Sequence, residues 1–234
     1  MLSPDDPEVW ILRAPAAAEL GTLDLSVLDA TERARFTALA RPRDRARYAF
    51  AHIALRTVLA TRTGLPNHQL RFGRDPCPCC GAPHGRPVLR DLPGGPEFSL
   101  SHRGDLVVIG VDSEPIGVDV EPEPDEDTLA QVLPLLHPAE RARVEAAEAG
   151  ARTAVFATLW ARKEAYLKGL GTGLGRDLAA DDVTGDLPGW ALTDLSAEPR
   201  TAVAVAVRHP VREVRRRYEL PRGAYLGRPT SPVS

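Results

Sequence analysis

Hydrophobic and polar positions repeat along this chain with two different periods, and the longest regular stretch is helical. From about Thr153 to Leu170 apolar residues recur every three or four positions, which predicts a single helix. The apolar stripe consists of Val155, Phe156, Leu159, Trp160, Tyr166, Leu167 and Leu170. At about 100° per residue, Lys163 falls inside this stripe, Glu164 at its edge and Lys168 just beyond it. A helix that only packs on a core would carry Leu or Ala at position 163.

The lysine in the stripe has two interpretations. Burying an unpaired ammonium group is strongly unfavourable, so Lys163 should either pair with a carboxylate or face a wet cleft. Glu164 and Lys168 form an i,i+4 pair in the favourable order, and such pairs usually lie on a solvated helix face. Helical spacing alone does not decide between a structural and a functional role for these residues.

The remaining pattern predicts short strands and further helices. The predicted strands or extended segments are Val9–Leu12, Leu70–Phe72, a segment after Pro87, Glu97–Ser101, Leu106–Val111, Ile116–Val120, Trp190–Thr193 and Thr201–Val207. The other predicted helices are Asp29–Ala40, Arg43–Thr63 (ended by Gly64), Leu129–Leu136 and one that begins at Pro138. On the long helix Arg45, Arg47 and Arg56 lie off the apolar positions, and arginines on helices are usually solvated.

This order of elements predicts an α+β fold with two pseudo-symmetric lobes of similar size. We place the N-terminal lobe at residues 1–114, the C-terminal lobe at 115–222 and a tail at 223–234. No repeat is visible at the residue level, so the pseudo-symmetry is inferred from element order alone. The segment from Arg212 to Ser234 is rich in Arg, Pro and Gly, and we expect it to be partly loose.

Composition narrows the functional class. The 234 residues are 43% hydrophobic and 26% charged, as in soluble globular proteins with a substantial core. A net charge of −3 argues against nucleic acid or an anionic membrane as the main partner. No apolar run approaches the roughly 20 residues that span a bilayer, and the N-terminus lacks a signal pattern. We therefore expect a cytoplasmic protein.

All three cysteines lie in one short stretch, Cys77-Pro-Cys79-Cys80. An odd number in one place is not a disulfide framework. Cys77 and Cys80 have C-x-x-C spacing and His84 follows, so a turn-rich loop holds three candidate zinc ligands. A closed structural zinc site needs four ligands, and no fourth is evident. A reduced, cysteine-rich hairpin tip is the favoured interpretation, and bound zinc remains the alternative.

Carboxylates cluster after the strand-like run at Ile116. Asp119 and Glu121 are two positions apart, so on a strand they point to the same side. Two neighbouring carboxylates repel each other unless a cation or base lies between them. With Glu164 as a third member, the set is all-oxygen and suits Mg²⁺. The alternative is a solvated acidic patch at the end of a strand.

A second polar group lies upstream, where Ser101 and His102 precede a glycine turn. A hydroxyl, an imidazole and backbone N–H groups can bind an anion there. A Ser–His nucleophile pair is disfavoured because adjacent strand residues point to opposite faces, and no G-x-S-x-G motif is present. The glycines from Gly169 to Gly175 follow a helix, which predicts a helix stop and loop rather than a phosphate cradle.

Three blocks taken together resemble the Sfp-type 4'-phosphopantetheinyl transferases. They are Phe98-Ser-Leu-Ser-His102, Ile116-Gly-Val-Asp-Val-Glu121 and Trp160-x-x-Lys-Glu-Ala-x-x-Lys168, and their order and spacing match that family. Gly85-Arg-Pro87 resembles the family's Gly-Lys-Pro element before the first block. The resemblance covers roughly Ala30 to Val207.

The resemblance implies a monomeric, two-lobed α+β enzyme with coenzyme A in the cleft between the lobes. It implies Mg²⁺-dependent transfer of 4'-phosphopantetheine from coenzyme A to a serine of an apo acyl or peptidyl carrier protein, with release of adenosine 3',5'-bisphosphate. Such a reaction serves fatty acid, polyketide or nonribosomal peptide biosynthesis. Because the attacking hydroxyl belongs to the carrier, the enzyme needs no nucleophile of its own.

The resemblance also assigns roles by position. Asp119, Glu121 and Glu164 become the Mg²⁺ ligands, with Glu164 the best candidate for the general base. Lys168, catalytic together with Asp119 and Glu164, would neutralise phosphate charge. The expected coenzyme A contacts are Arg47, Arg86, Ser101, His102 and Lys168, with Arg33 or Arg35 as further candidates. We expect Lys163 to orient the carboxylates from behind.

Two other functions fit parts of the same pattern. A different Mg²⁺-dependent phosphate-transfer enzyme, such as a nucleotidyl transferase, would use the same carboxylates on ATP and release pyrophosphate. A non-catalytic module that binds coenzyme A or carrier proteins would leave the acidic residues as a solvated patch. The module is disfavoured because all three carboxylates occur together with both family lysines.

Overall fold

The computed structural model describes residues 6–208 and 214–220, and in these residues five helices accompany nine strands. The helices are α1 (Ala30–Ala38), α2 (Pro42–Thr63), α3 (Glu126–Val132), α4 (Pro138–Glu145) and α5 (Arg152–Leu170). The strands are β1 (Glu8–Arg13), β2 (Phe72–Arg74), β3 (Pro87–Leu89), β4 (Glu97–Arg103), β5 (Leu106–Asp112), β6 (Ile116–Pro122), β7 (Ala191–Glu198), β8 (Thr201–Val207) and β9 (Arg215–Arg217). The mixed content confirms the α+β class. The predicted tail, residues 223–234, lies outside the described residues.

The strands form two main sheets and one hairpin. The first sheet has the order β4-β5-β1-β9 and the second the order β6-β8-β7, while β2 and β3 pair with each other. All pairings are antiparallel except that of β9 with β1. Strand β9 therefore brings residues 215–217, which we predicted in the C-terminal lobe, back to the first sheet. The pseudo-symmetry and the boundary at residue 115 stay predictions.

The two sheets pack against each other because alternate positions of their strands are apolar on that side. Their shared core is formed by Val9, Ile11, Leu106, Val108, Ile116, Val118, Val120, Ala191, Leu195, Val203, Val205 and Val207. The opposite face of the first sheet packs on α2, and the opposite face of the second packs on α5. The result is a helix–sheet–sheet–helix arrangement in which the two halves share a buried core.

Helix α5 lies very close to strand β6. A Cβ atom at Gly117 would come within 1.8 Å of the Ala165 carbonyl oxygen, so a glycine is required there. The helix ends at Gly171, which has a φ of +79° and forms the left-handed cap that the sequence predicts. The approach sets Glu164 and Lys168 over the face of β6 that carries Asp119.

The expectation that Arg56 is solvated is wrong. Its side chain is fully buried and pairs with Glu32 and Asp29, while its guanidinium also donates to the carbonyl oxygens of Asn67 and Leu70. A buried guanidinium is tolerated where its donors are satisfied in this way. Among the described residues, no helix has the length and apolar character needed to cross a membrane.

Candidate active site

Three carboxylates converge where α5 crosses β6, and we call Asp119, Glu121 and Glu164 the acidic trio. Val118 and Val120 point into the core between the sheets, so Asp119 and Glu121 face the helix instead. Burial and then repulsion from Asp119 raise the pKa of Glu121. Burial first, followed by the charges of Asp119 and Glu121, likewise raises the pKa of Glu164. The three groups thus share one electrostatic environment.

Asp119 is the buried member of the trio, and only one of its oxygens is satisfied. Its Oδ1 accepts hydrogen bonds from Ser101 Oγ at 2.8 Å and from Lys168 Nζ at 2.6 Å. Its Oδ2 is buried and has no hydrogen-bond partner. A buried carboxylate oxygen without a donor is strongly unfavourable unless a cation or another donor binds it. The residues present therefore fit a hard cation such as Mg²⁺, as the all-oxygen donor set suggested.

The carboxylate oxygens of the acidic trio do not lie as close to one another as the ligand atoms of a closed metal site. Among the described residues, the only set of three or more Cys, His, Asp or Glu ligand atoms all lying within 4.8 Å of one another is that of Cys77, Cys80 and His84. In the trio, the charge on Asp119 is balanced by the ammonium of Lys168. Lys168 does so although the sequence suggested an i,i+4 pair with Glu164.

Glu121 also has neighbours outside the trio. Burial is the main cause that raises its pKa, and the nearby Trp160 side chain, one turn before Glu164 on α5, partly offsets this increase. The Arg103 guanidinium lies 3.9 Å from the Glu121 carboxylate. The sequence places Trp160 in the apolar stripe and in the third block of the resemblance, but helical periodicity does not show that its side chain lies beside Glu121.

The prediction that Lys163 orients the acidic trio is wrong. Its ammonium group is buried and lies 2.7 Å from Glu140 Oε1, and it also donates to the carbonyl oxygens of Leu178 and Asp181. These three acceptors match the three donors of an ammonium group. Lys163 thus forms the structural pair that was the other interpretation of the stripe, and its partner comes from helix α4.

Ser101 and His102 point to opposite faces of β4, as predicted. Ser101 is buried and donates to Asp119. The neighbouring Ser99 accepts a hydrogen bond from the Val118 backbone N–H at 3.1 Å, so this edge of the first sheet is tied to the second. His102 is on the α2 side. Partial desolvation, and then the charges of His52, Lys168 and Arg47, lower the pKa of His102.

A cavity of about 670 Å³ opens beside this site. Lys168, Gly171 and Gly173 line it from the C-terminal half, and the rest of its wall comes from the N-terminal half. The volume is within the range of pockets that bind cofactor-sized ligands. Its basic lining residues are His52, Arg74, His84, Arg86, Arg90 and Lys168. Asp29 and Glu32 also line the cavity, but both pair with the buried Arg56, so the net charge of the lining favours an anionic ligand.

The sequence-predicted arginines have different positions. Arg86 lines the cavity, where Glu97 and Asp75 lie 3.4 and 3.5 Å from its guanidinium. Arg47 is half-buried and pairs with Asp105 at 2.9 Å. Arg33 and Arg35 are exposed on α1.

Sequence analysis missed Arg74, Arg90 and His52 as cavity residues. The chain brings Arg90 to the cavity by packing it over Gly73, where a Cβ atom would meet the Arg90 side chain at 2.6 Å. The available signal was weak, because Gly73 directly follows the predicted strand Leu70–Phe72, and a glycine in a strand often marks a close approach of another group.

Comparison with known proteins agrees with this site. A sequence model described as the 4'-phosphopantetheinyl transferase superfamily matches residues 115–210. The chain is 32% identical over 177 residues to "Putative 4'-phosphopantetheinyl transferase slr0495" of Synechocystis sp., covering 74% of this chain and 68% of that protein. It is also 32% identical to 4'-phosphopantetheinyl transferase psf-1 of Bacillus pumilus (64% of this chain, 59% of that protein).

A third relative is 4'-phosphopantetheinyl transferase Sfp of Bacillus subtilis, which is 26% identical over 70% of this chain and 69% of its own length. The matched superfamily region contains Asp119, Glu121, Glu164 and Lys168. The order of the three sequence blocks, the site they form and these similarities lead to one conclusion. The chain belongs to the Sfp-type 4'-phosphopantetheinyl transferase family.

Proposed function

We propose that this protein transfers 4'-phosphopantetheine from coenzyme A to a serine of an apo acyl or peptidyl carrier protein in a Mg²⁺-dependent reaction, releasing adenosine 3',5'-bisphosphate. Family membership supports the transferase class and the use of coenzyme A and carrier proteins. The observation that carries the proposal is the unpartnered buried oxygen of Asp119, set beside Lys168 at the edge of a basic cavity.

We propose Asp119, Glu121 and Glu164 as the residues that would hold Mg²⁺. The ion would neutralise the phosphate charge that develops on the leaving nucleotide as the pyrophosphate linkage of coenzyme A is cleaved. Asp119 contributes a carboxylate already held in place by Ser101. Glu121 contributes a second carboxylate, which lies beside Trp160 and 3.9 Å from the Arg103 guanidinium.

The cations of the chain position the substrate. Lys168 and Arg86 reach the cavity from opposite halves of the molecule, where they can bind phosphate groups of coenzyme A together. Arg74 and Arg90 add positive charge to the same wall. His102 and Arg47 lie on the α2 side of β4, and we retain them as nucleotide contacts in the proposal.

Glu164 is our candidate for the general base that accepts the proton of the carrier serine. A carboxyl group whose pKa is raised towards the working pH is a stronger base than an ordinary glutamate. Transfer without an enzyme nucleophile depends on positioning and on charge neutralisation, and the site provides groups for both. We propose that the enzyme acts as a monomer in the cytoplasm, with the coenzyme A site between lobes that meet near residue 115.

The proposal is tested by the intact mass of a purified apo carrier protein after incubation with this protein, coenzyme A and Mg²⁺. The expected result is a mass gain of a single phosphopantetheine group, which is absent when EDTA is added. Binding of coenzyme A without a mass gain on several unrelated carriers would favour a binding module. Release of pyrophosphate from ATP in the same buffer would favour a nucleotidyl transferase instead.

A further inference from the structure

The cysteine loop, residues 75–86, connects strands β2 and β3 and contains a second cluster of candidate ligands. The ligand atoms of Cys77, Cys80 and His84 lie within 4.8 Å of one another. Cys80 Sγ and His84 Nε2 are 3.1 Å apart. None of these three side chains takes part in the transfer reaction proposed above.

The backbone of the loop brings the two thiols to the same point. The Gly81 N–H donates to the Cys77 carbonyl at 2.8 Å, and Gly81 has a φ of +74°, so a tight turn from Cys77 to Gly81 encloses Cys80. Cys77 is buried, whereas Cys80 and His84 are exposed.

Neither a packing role nor a disulfide accounts for this arrangement. Packing would explain the buried Cys77 but not the exposed Cys80 directed at it. A Cys77–Cys80 disulfide would explain two of the groups, yet it gives no reason for the imidazole of His84 to converge on the same point. All three cysteines of the loop are free.

We propose that Cys77, Cys80 and His84 bind a zinc ion, with water as the fourth ligand. Two thiolates and an imidazole form a soft donor set that suits Zn²⁺ and does not suit Mg²⁺, so this site is chemically distinct from the acidic trio. Binding converts both thiols to thiolates and releases their two protons to solvent, while neutral His84 donates a nitrogen lone pair.

The zinc site would fix one wall of the basic cavity. His84 lies two residues before Arg86, and both line the cavity. The base of the loop is already closed, because Asp75 N–H donates to the Arg86 carbonyl and Gly85 N–H donates to the Asp75 carbonyl, both at 2.9 Å. A metal at the tip would order the remaining residues. The consequence for coenzyme A binding rests on the proposed function, but the zinc site itself does not.

The test begins with metal analysis of the whole protein, purified without chelator and compared with Cys80→Ser, His84→Ala and Cys79→Ser variants. We expect one zinc per wild-type chain and the same in Cys79→Ser, the matched control. The other two variants should lose most of their zinc, because each lacks one of the three protein ligands. Cobalt-loaded wild type should show the charge-transfer absorption of thiolate–Co²⁺ bonds, and Cys80→Ser should weaken it. Far-UV circular dichroism verifies that each variant folds.

The zinc site would be overturned if wild-type protein bound no zinc after reduction and reconstitution, or if His84→Ala kept its full zinc content. A Cys77–Cys80 disulfide in protein purified from reducing cytosol would also overturn it. Coenzyme A affinity, measured by calorimetry, should fall in Cys80→Ser, whose residue does not line the cavity, and stay unchanged in Cys79→Ser. Zinc binding together with failure of carrier loading would contradict the proposed function alone. Carrier loading by wild-type protein that binds no zinc after reduction and reconstitution would contradict the zinc site alone.

Discussion

Helix α5 carries two lysines five residues apart, and each forms an ion pair with a carboxylate from a different element. Lys163 pairs with Glu140 of α4, and Lys168 pairs with Asp119 of β6. Lys163 is 1% exposed and Glu140 0%, whereas the Lys168 side chain is 30% exposed above an almost buried Asp119. The two pairs differ most in what surrounds the charges.

Around Lys163 and Glu140 every charged group is satisfied. Glu140 Oε1 also accepts the backbone N–H of Val183 at 2.9 Å, and its Oε2 accepts that of His137 at 3.2 Å. Around Lys168 the opposite is true, since Asp119 Oδ2 has no partner and two further carboxylates lie near it. We call the Lys163–Glu140 pair saturated, because all its charged groups have partners, and the site around Lys168 and Asp119 unsaturated. A saturated pair stabilises a fold, while an unsaturated site is able to bind a ligand. Lys163 therefore has a structural role, and we propose a catalytic role for Lys168.

Glu164→Gln, in the unsaturated site, should have the largest effect of these variants, and the effect should be on the rate of carrier loading. Removing the base should lower carrier loading by roughly a hundred- to ten-thousand-fold, with little change in stability because the side chain keeps its shape. Initial rates of carrier loading measure the effect. The exposed Glu145→Gln on α4 is the control and should load at the wild-type rate. Near-normal loading by Glu164→Gln would exclude Glu164 from the mechanism.

Lys163→Met should affect the saturated pair and not the reaction. It leaves a buried Glu140 charge unpaired, which should lower the free energy of unfolding by about 3–5 kcal/mol, as measured with urea. Adding Glu140→Gln should recover part of that loss because the amide carries no charge. A Lys163→Met variant as stable as wild type, with a weakened Mg²⁺ dependence, would show that Lys163 acts on the acidic trio after all.

Gly117→Ala should separate the two elements that build the unsaturated site. The added methyl group would overlap the Ala165 carbonyl, so α5 must move away from β6 at a cost of about 1–3 kcal/mol in unfolding free energy. Gly150→Ala is the control, since a Cβ atom there meets nothing within 4 Å. Equal stability of the two variants would mean that α5 is not seated as described.

The smallest expected effect is on the pH dependence of stability. Glu121 and Glu164 have pKa values raised by folding, so the folded protein holds their protons at a pH where the unfolded chain releases them. Their contribution to the free energy of unfolding is greatest below the unfolded pKa of about 4.3, and it declines as the pH rises through the raised pKa values of the folded protein. With EDTA present, Glu121→Gln/Glu164→Gln should therefore exceed wild type in stability at neutral pH.

Urea titrations at several pH values measure this difference, which should shrink towards pH 4 as the wild-type carboxyls take up protons. A wild-type protein more stable than the double variant at neutral pH would contradict the raised pKa values.

Local patterns predicted most elements, including α5, its glycine cap and the shared face of Asp119 and Glu121. Periodicity contains this information because each position's neighbours on the helix or strand are set by the backbone. Periodicity does not identify the ion-pair partners of Lys163, Lys168 and Arg56, because these partners are 23, 49 and 24 positions away along the chain. The strand predicted at Leu70–Phe72 is observed at Phe72–Arg74, and its short length explains the shift.

The central claim is that the unsaturated site around Asp119 performs the transfer. The most direct test is the initial rate of carrier loading, followed by intact mass at saturating Mg²⁺, for wild type, Asp119→Asn and Lys163→Met/Glu140→Gln. Rates are expressed per folded molecule. We predict a loss of roughly a hundredfold or more for Asp119→Asn and a wild-type rate for the double variant. Loading by Asp119→Asn at the wild-type rate would contradict the account.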